Sequence, residues 1–246
     1  MTRKLIINTD DYGVCAEVNA AVEELIERGV LRSVSLLANG ECREQAVNFL
    51  KARPEVSAGI HLNVVEGRPV STSPVINAIT GDDGNFLGLA SLLRRWLWRP
   101  REVSRAVETE WRVQIELLLA SKLNLTHADS HQHLHAFPPA YRCAVRLCHE
   151  YRIPSLRNPA ESLFSRRRCA EALALRTSLQ LARLLNNSQH LYLNDYFLGF
   201  NQAGNYDINT IKADLGRMPE GLTELAIHPS VKDGYPYFKF NGRREY

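Results

Sequence analysis

Cysteine is sparse in this sequence: five residues, at positions 15, 42, 143, 148 and 169, an odd number with no Cys-x-x-Cys spacing. That argues against a disulfide framework and against a thiolate zinc site, and it points to a reducing, cytoplasmic compartment. Long apolar runs are missing too. After Thr2-Arg3-Lys4 only Leu5-Ile6-Ile7 is apolar before Asn8 and two aspartates, too short for the apolar part of a secretory signal, and no run approaches the length of a membrane span. Charge of one sign is not in excess either. Thirty basic residues against 27 acidic ones give a formal net charge of +3, so no nucleic acid is expected as a partner. The clusters Arg94, Arg95, Arg99, Arg101 and Arg166, Arg167, Arg168 read as solvated helix faces. There is no glycine-rich phosphate loop and no repeat of fixed period.

What remains is an ordinary globular composition, 45% apolar and 23% charged over 246 residues, enough for one large core in a single domain spanning residues 1–246. Histidine is concentrated. Four of the eight fall in Thr126–Pro138, THADSHQHLHAFP, as His127, His131, His133 and His135, with Asp129 among them. A lone histidine on an apolar run is ordinarily a hydrogen-bonded core residue. Five polar side chains this close together would all need partners away from water, and imidazole is a common ligand of first-row metals, so a site is expected here.

Short apolar runs alternate with helical periodicity along the chain. Leu5–Asn8 empties into Thr9-Asp10-Asp11-Tyr12-Gly13, and a helix follows from about Ala16 to Arg28 with Gly29 as its stop. Ser33–Ala38, Ser57–Asn63, Leu123–Thr126, Ile153–Leu156, Leu191–Leu193 and Leu222–Ile227 read as further strands. Helices are expected over Glu41–Ala52, Arg101–Ser121, from Tyr141 through Cys148, Ser165–Asn187 and Ile208–Leu215, and Glu66–Phe86 reads as a long loop. The fold class is therefore α/β, with about seven strand-helix units closing into a deformed TIM-like (β/α) barrel. Asp10, Asp11, His61, His131, Arg157 and His228 all fall at or just after a strand end, so a barrel gathers them on one face.

A His/His/carboxylate set with open positions suits a hydrolytic metal site, and Asp11, His61 and His131 are the expected ligands. The neighbouring aspartate is left as a base, because adjacent residues at a strand exit point in different directions. TDDYG at 9–13 followed by Val18-Asn19, GIHLN at 59–63, THADSHQHLH at 126–135 and IHPS at 227–230 resemble, in order, the four signatures of the YdjC-like carbohydrate deacetylases. The resemblance runs from Lys4 to about His228. It implies one divalent ion, Mg2+ or Zn2+, and removal of an acetyl group from a small N-acetylated saccharide or a glycolipid. It carries Asp11, His61 and His131 over as metal ligands and Asp10 as general base. By analogy with the wider class of metal-dependent polysaccharide deacetylases, His228 resembles the general acid and Arg157 the arginine that orients the base. His127 is the rival ligand, and Asp129 is placed to accept from a metal-binding imidazole.

Trp96, Trp98, Tyr196, Phe197, Tyr235 and Tyr237 are candidate flat faces for sugar rings. The family pattern continues beyond Arg243-Arg244-Glu245 into a closing helix, so a missing C-terminal helix is expected; a homodimer is compatible with all of this. The alternatives are a metal-dependent phosphoesterase, which would call for more basic residues at strand ends, and an inactive carbohydrate-binding descendant, against which the intact Asp10, Asp11, His61, His131 and His228 argue.

Overall fold

The structure, a computed structural model, describes residues 2–161, 169–186, 190–199, 208–232 and 235–238. Expectations about Arg166–Arg168 and about a helix closing the C-terminus concern residues outside these.

The chain alternates strand and helix as its periodicity demands. β1 (Arg3–Tyr12), α1 (Ala16–Glu27), β2 (Ser33–Leu36), α2 (Arg43–Lys51) and β3 (Ser57–Leu62) come first. The segment after β3 is not a bare loop: it holds a 3-10 helix at Pro74–Ala78 and a bridge between Thr80 and Phe86. α3 (Leu89–Trp98), foreseen only as the helix face carrying Arg94 and Arg95 and given no bounds, precedes α4 (Pro100–Ala120) and β4 (Leu125–Ser130). Then follow α5 (Pro138–Glu150), α6 (Cys169–Leu185), β5 (Tyr196–Leu198), α7 (Ile208–Gly216), β6 (Gly221–Ile227) and an antiparallel hairpin of β7 (Pro229–Lys232) and β8 (Tyr235–Phe238) lying against α1. The hairpin was unforeseen, since Leu222–Ile227 is the last strand expected from the sequence.

β1 to β6 form one parallel sheet in the order β4-β3-β2-β1-β6-β5. Its edges meet through isolated parallel bridges, Leu156 on Ala128 and Ser155 on Tyr192, so the sheet curls into a deformed barrel. The expected strands at Ile153–Leu156 and Leu191–Leu193 are these bridges, and the second runs on into β5. Where the ladder fails, side chains lace the seam: Asn194 Nδ2 donates to the Asn158 carbonyl at 2.8 Å, and Asn158 Nδ2 donates to the Asn194 carbonyl at 3.0 Å. Such reciprocal amides satisfy the buried backbone groups that an interrupted ladder leaves over.

β4 starts two residues later than the apolar run suggests and continues through His127 and Asp129. Polar residues are tolerated there because the barrel interior supplies partners: Ser35 Oγ donates to Asp129 Oδ2 at 2.8 Å, and Thr126 Oγ1 lies 2.9 Å from His127 Nδ1. The apolar core sits mainly between the sheet and the helices, with Trp96 and Trp111 fully buried.

Candidate active site

Two local distortions build the site. Between Thr9↔Val34 and Tyr12↔Leu36 the β1–β2 register slips by one residue, a bulge that contains Asp10 and Asp11. Asp11 takes φ +61°, the left-handed region that a non-glycine residue enters at a cost, so the two carboxylates leave the strand in different directions. The turn behind them is fixed by buried Asn19, whose Oδ1 accepts from the Gly13 N–H at 2.8 Å and whose Nδ2 donates to the Cys42 carbonyl at 2.9 Å. That is the physical content of the asparagine following TDDYG. At the end of β4, Gln132 and His133 are both left-handed, φ 52° and 54°. This turn lays His131 back toward β1, and Ser130 Oγ holds it by accepting from the His135 N–H at 2.8 Å.

Asp11, His61 and His131, all buried, offer ligand atoms within 4.8 Å of one another. His61 Nδ1 lies 2.6 Å from Asp129 Oδ1, and a carboxylate oxygen can only accept, so the ring proton is on Nδ1. The Nε2 lone pair then faces Asp11 Oδ1 at 3.5 Å. Two acceptors turned toward each other in a buried pocket are stabilised by a cation between them, so this donor set fits a divalent ion. Asp10, His61 and Asp129 form a second group of suitable residues. It fits less well, since Asp10 and Asp129 already share a guanidinium.

That guanidinium is Arg157. Nη1 and Nη2 donate to the two oxygens of Asp10 at 2.7 and 2.6 Å, Nη2 lies 2.6 Å from Asp129 Oδ2, and Nε donates to Glu224 Oε1 at 2.7 Å. Burial alone would raise the Asp10 pKa, but the Arg157 charge outweighs it and holds the carboxyl below its usual range, ionised at neutral pH. Asp129 is lowered as well, burial being overcome by Arg157 and His61. Burial opposes the Arg157 charge, yet three carboxylates raise its pKa well above the ordinary value. Glu224 behaves differently: burial pushes it up to about 7, and Arg157 only partly offsets this.

His228 stands at the mouth, 39% exposed, with Nε2 3.9 Å from Asp10 Oδ2 and 3.8 Å from Asp11 Oδ2. The fold thus brings together all six residues singled out from the sequence. His127 is not among them. It lies one strand step lower, with Nε2 3.2 Å from Ser35 Oγ, and belongs to neither ligand group. Burial lowers its pKa to about 4, and the same holds for His135. A carbonyl only accepts, so His135 Nε2–H donates to the Arg157 carbonyl at 3.1 Å, which leaves the Nδ1 lone pair to accept from the Ser130 hydroxyl at 2.6 Å. His135 is a neutral strut for the arginine.

Of the aromatic candidates, Trp96 and Phe197 are core residues. Trp96 donates to Ser104 at 2.9 Å, and Phe197 lies under Arg157, 5.4 Å from its guanidinium carbon. Trp98 and Tyr196 are exposed, and the side chains of Tyr235 and Tyr237 lie outside the described residues. Glu224 and Glu66 were missed. Glu224 was legible only as the one acid inside the apolar run LTELAI, and Glu66 carried no signal beyond following GIHLN closely.

The sequence model of the YdjC-like protein family matches residues 4–244. This chain is a member of the YdjC-like family. A carbohydrate deacetylase of Brevibacillus brevis is 37% identical over 152 residues, 61% of this chain and 58% of that protein. One from Thermoanaerobacter pseudethanolicus is 25% identical over 233 residues, 93% of this chain and 82% of that protein. The match to the Brevibacillus relative, like that to the Clostridium beijerinckii carbohydrate deacetylase, spans just under three-fifths of the relative's length, 58% in both. Among solved structures, a protein from Enterococcus faecalis described as a candidate cellobiose-phosphate cleavage protein superposes with a TM-score of 0.76 at 23% identity. That superposition covers 95% of this chain and 83% of that one, and it bears on the fold. Within the described residues, no helix of this YdjC-like protein is long and apolar enough to cross a membrane.

Proposed function

We propose that this protein is a divalent-metal-dependent hydrolase that removes the acetyl group from an N-acetylated sugar, a chitooligosaccharide or an N-acetylglucosaminyl glycolipid. The observation that carries the reading is the pairing of two unlike carboxylates on one bulge. Asp11 faces two imidazoles, and Asp10 is gripped by Arg157. Asp11, His61 and His131 would hold the ion, Mg2+ or Zn2+, which when bound polarises the amide carbonyl and acidifies a water.

Asp10, kept ionised by Arg157, takes a proton from the attacking water, and Arg157 fixes the direction of that carboxylate. As the oxygen–carbon bond forms and the carbon–nitrogen bond breaks, His228 gives a proton to the departing nitrogen; its exposed place at the mouth suits a group that meets the leaving sugar. Acetate and a free amino sugar result. The names of the curated relatives support the reaction class. A phosphoesterase finds less support, because Arg157, the basic residue expected to hold a phosphate, is fully engaged by Asp10, Asp129 and Glu224. A cytoplasmic location and a single catalytic domain over residues 1–246 are parts of the same proposal.

The test is acetate release from chitobiose, longer chitooligosaccharides and N-acetylglucosaminyl lipids by metal-stripped protein, with ions added back singly. Release restored by one ion is expected. Folded, metal-loaded protein that releases acetate from none of them would overturn the reading.

A further inference from the structure

His131 stands between two carboxylates. Nδ1 lies 3.0 Å from Asp11 Oδ1, and Nε2 lies 3.4 Å from Glu66 Oε1. A neutral imidazole carries one N–H, so it can donate to only one of them. Without an ion the contact at hydrogen-bond distance is Nδ1 to Asp11; a cation held by Asp11 would take the Nδ1 lone pair, so the ring proton would pass to Nε2, which faces Glu66. His61 already stands in the corresponding form with its nitrogens exchanged: the proton on Nδ1 faces Asp129, and Nε2 looks inward.

The position of Glu66 is built, not incidental. Its N–H donates to Asn63 Oδ1 at 3.2 Å, and its carbonyl accepts from Asn63 Nδ2 at 2.9 Å and Asn39 Nδ2 at 3.2 Å. Asn63 is held by fully buried Gln114 on α4, which accepts from the Asn63 N–H at 3.0 Å. Gln114 also donates to Glu110 at 2.8 Å, and that buried carboxylate accepts the N–H groups of Val70 and Ser71 at 2.8 and 2.9 Å. Two buried polar side chains on one helix thus pin the whole segment after β3. At its tip, Glu66 Oε1 also accepts from Gln132 Nε2 at 2.8 Å, inside the left-handed turn that carries His131.

We propose that Glu66 is a positioning residue of the metal centre, fixing the tautomer and orientation of His131 as Asp129 does for His61. The inference rests on the ligand set of the proposed function. Outer carboxylates of this kind typically change metal affinity by about 10- to 100-fold. Glu66 is farther from its imidazole than Asp129 and 35% exposed by side chain, so its effect belongs toward the lower end.

The experiment is titration of metal-stripped protein with Zn2+ alone, followed calorimetrically, for wild type, Glu66→Gln, Asp129→Asn, His61→Ala and Gln132→Ala. Glu66→Gln keeps the shape and an acceptor for Gln132 but loses the charge. It should weaken Zn2+ binding about 10-fold, with the melting temperature of the metal-free protein unchanged, while Gln132→Ala, which removes one anchor of that carboxylate, falls between Glu66→Gln and wild type. Affinity within about twofold of wild type for Glu66→Gln, beside a clear loss in Asp129→Asn, overturns this inference and leaves the proposed function standing. A loss as complete as in His61→Ala overturns it too, since Glu66 would then be a ligand. Wild type that binds neither Zn2+ nor, in a parallel titration, Mg2+ removes both readings.

Discussion

Asp10 and Asp11 are adjacent in sequence and opposite in circumstance. One is locked to a guanidinium and the other faces imidazoles, so substitutions at the two positions should separate chemistry from binding. Asp10→Asn should retain the ion and lose about 10²- to 10⁴-fold in turnover, whereas His61→Ala should lose both, measured as kcat beside bound metal. Equal metal loss in the two variants would contradict this division. Glu224 makes a second prediction. Its carboxyl holds a proton up to about pH 7 in the folded protein, while an ordinary glutamate releases it near 4.5. The folded state binds more protons in that window, so stability falls as pH rises through it and stays lower above. Glu224→Gln can still accept from Arg157 and should remove this slope. The melting temperature of the variant, relative to wild type, should therefore rise between pH 5 and 8. At this scale the sequence was legible where a polar residue ended an apolar run, as at Asp10, Asp11, His61 and His228. It was opaque where one sat inside, as Glu224 does, because strand alternation disguises an inward-facing acid as an outward-facing one.

Among the elements, β3 and β4 approach closely enough to constrain composition. A methyl group placed on Gly59 would lie 2.2 Å from His127 Nε2, a ring itself held between Ser35 and Thr126. Gly59→Ala should therefore push the strands apart or displace the ring, costing about 1–3 kcal/mol, read as a lower urea midpoint with an unchanged slope. An unchanged midpoint would show the ring to be mobile. Most elements were foreseen within a few residues, since helical periodicity and short apolar runs report burial directly. β4 was cut short because His127 and Asp129 look unlike strand residues until their partners are known. α3, foreseen only as the helix face of Arg94 and Arg95, was given no bounds because it follows a segment rich in glycine and aspartate. The left-handed turns at Asp11 and Gln132–His133 had no signal at all, since no glycine marks them.

For the whole molecule, acid should be the effective denaturant. His127 and His135 titrate near 4 when folded against about 6.5 for the ordinary imidazole, so the unfolded chain binds more protons between these values. Stability gained from keeping them neutral is present above about pH 6.5 and is lost as pH falls toward 4. Melting temperature of the Glu224→Gln variant, which lacks the opposing carboxyl slope, should drop from pH 7 to 4, and a flat profile there would contradict the burial of these rings. The closure of the sheet bears on the chemistry as well. Its seam is narrow, a few bridges and a pair of asparagines, and the residue just past those bridges is Arg157, whose side chain crosses the interior to β1, β4 and β6. The arginine acts as a tie rod. Any breathing that parts the seam also slackens the grip on Asp10, so the basicity of that carboxylate is set by whether the ring is shut.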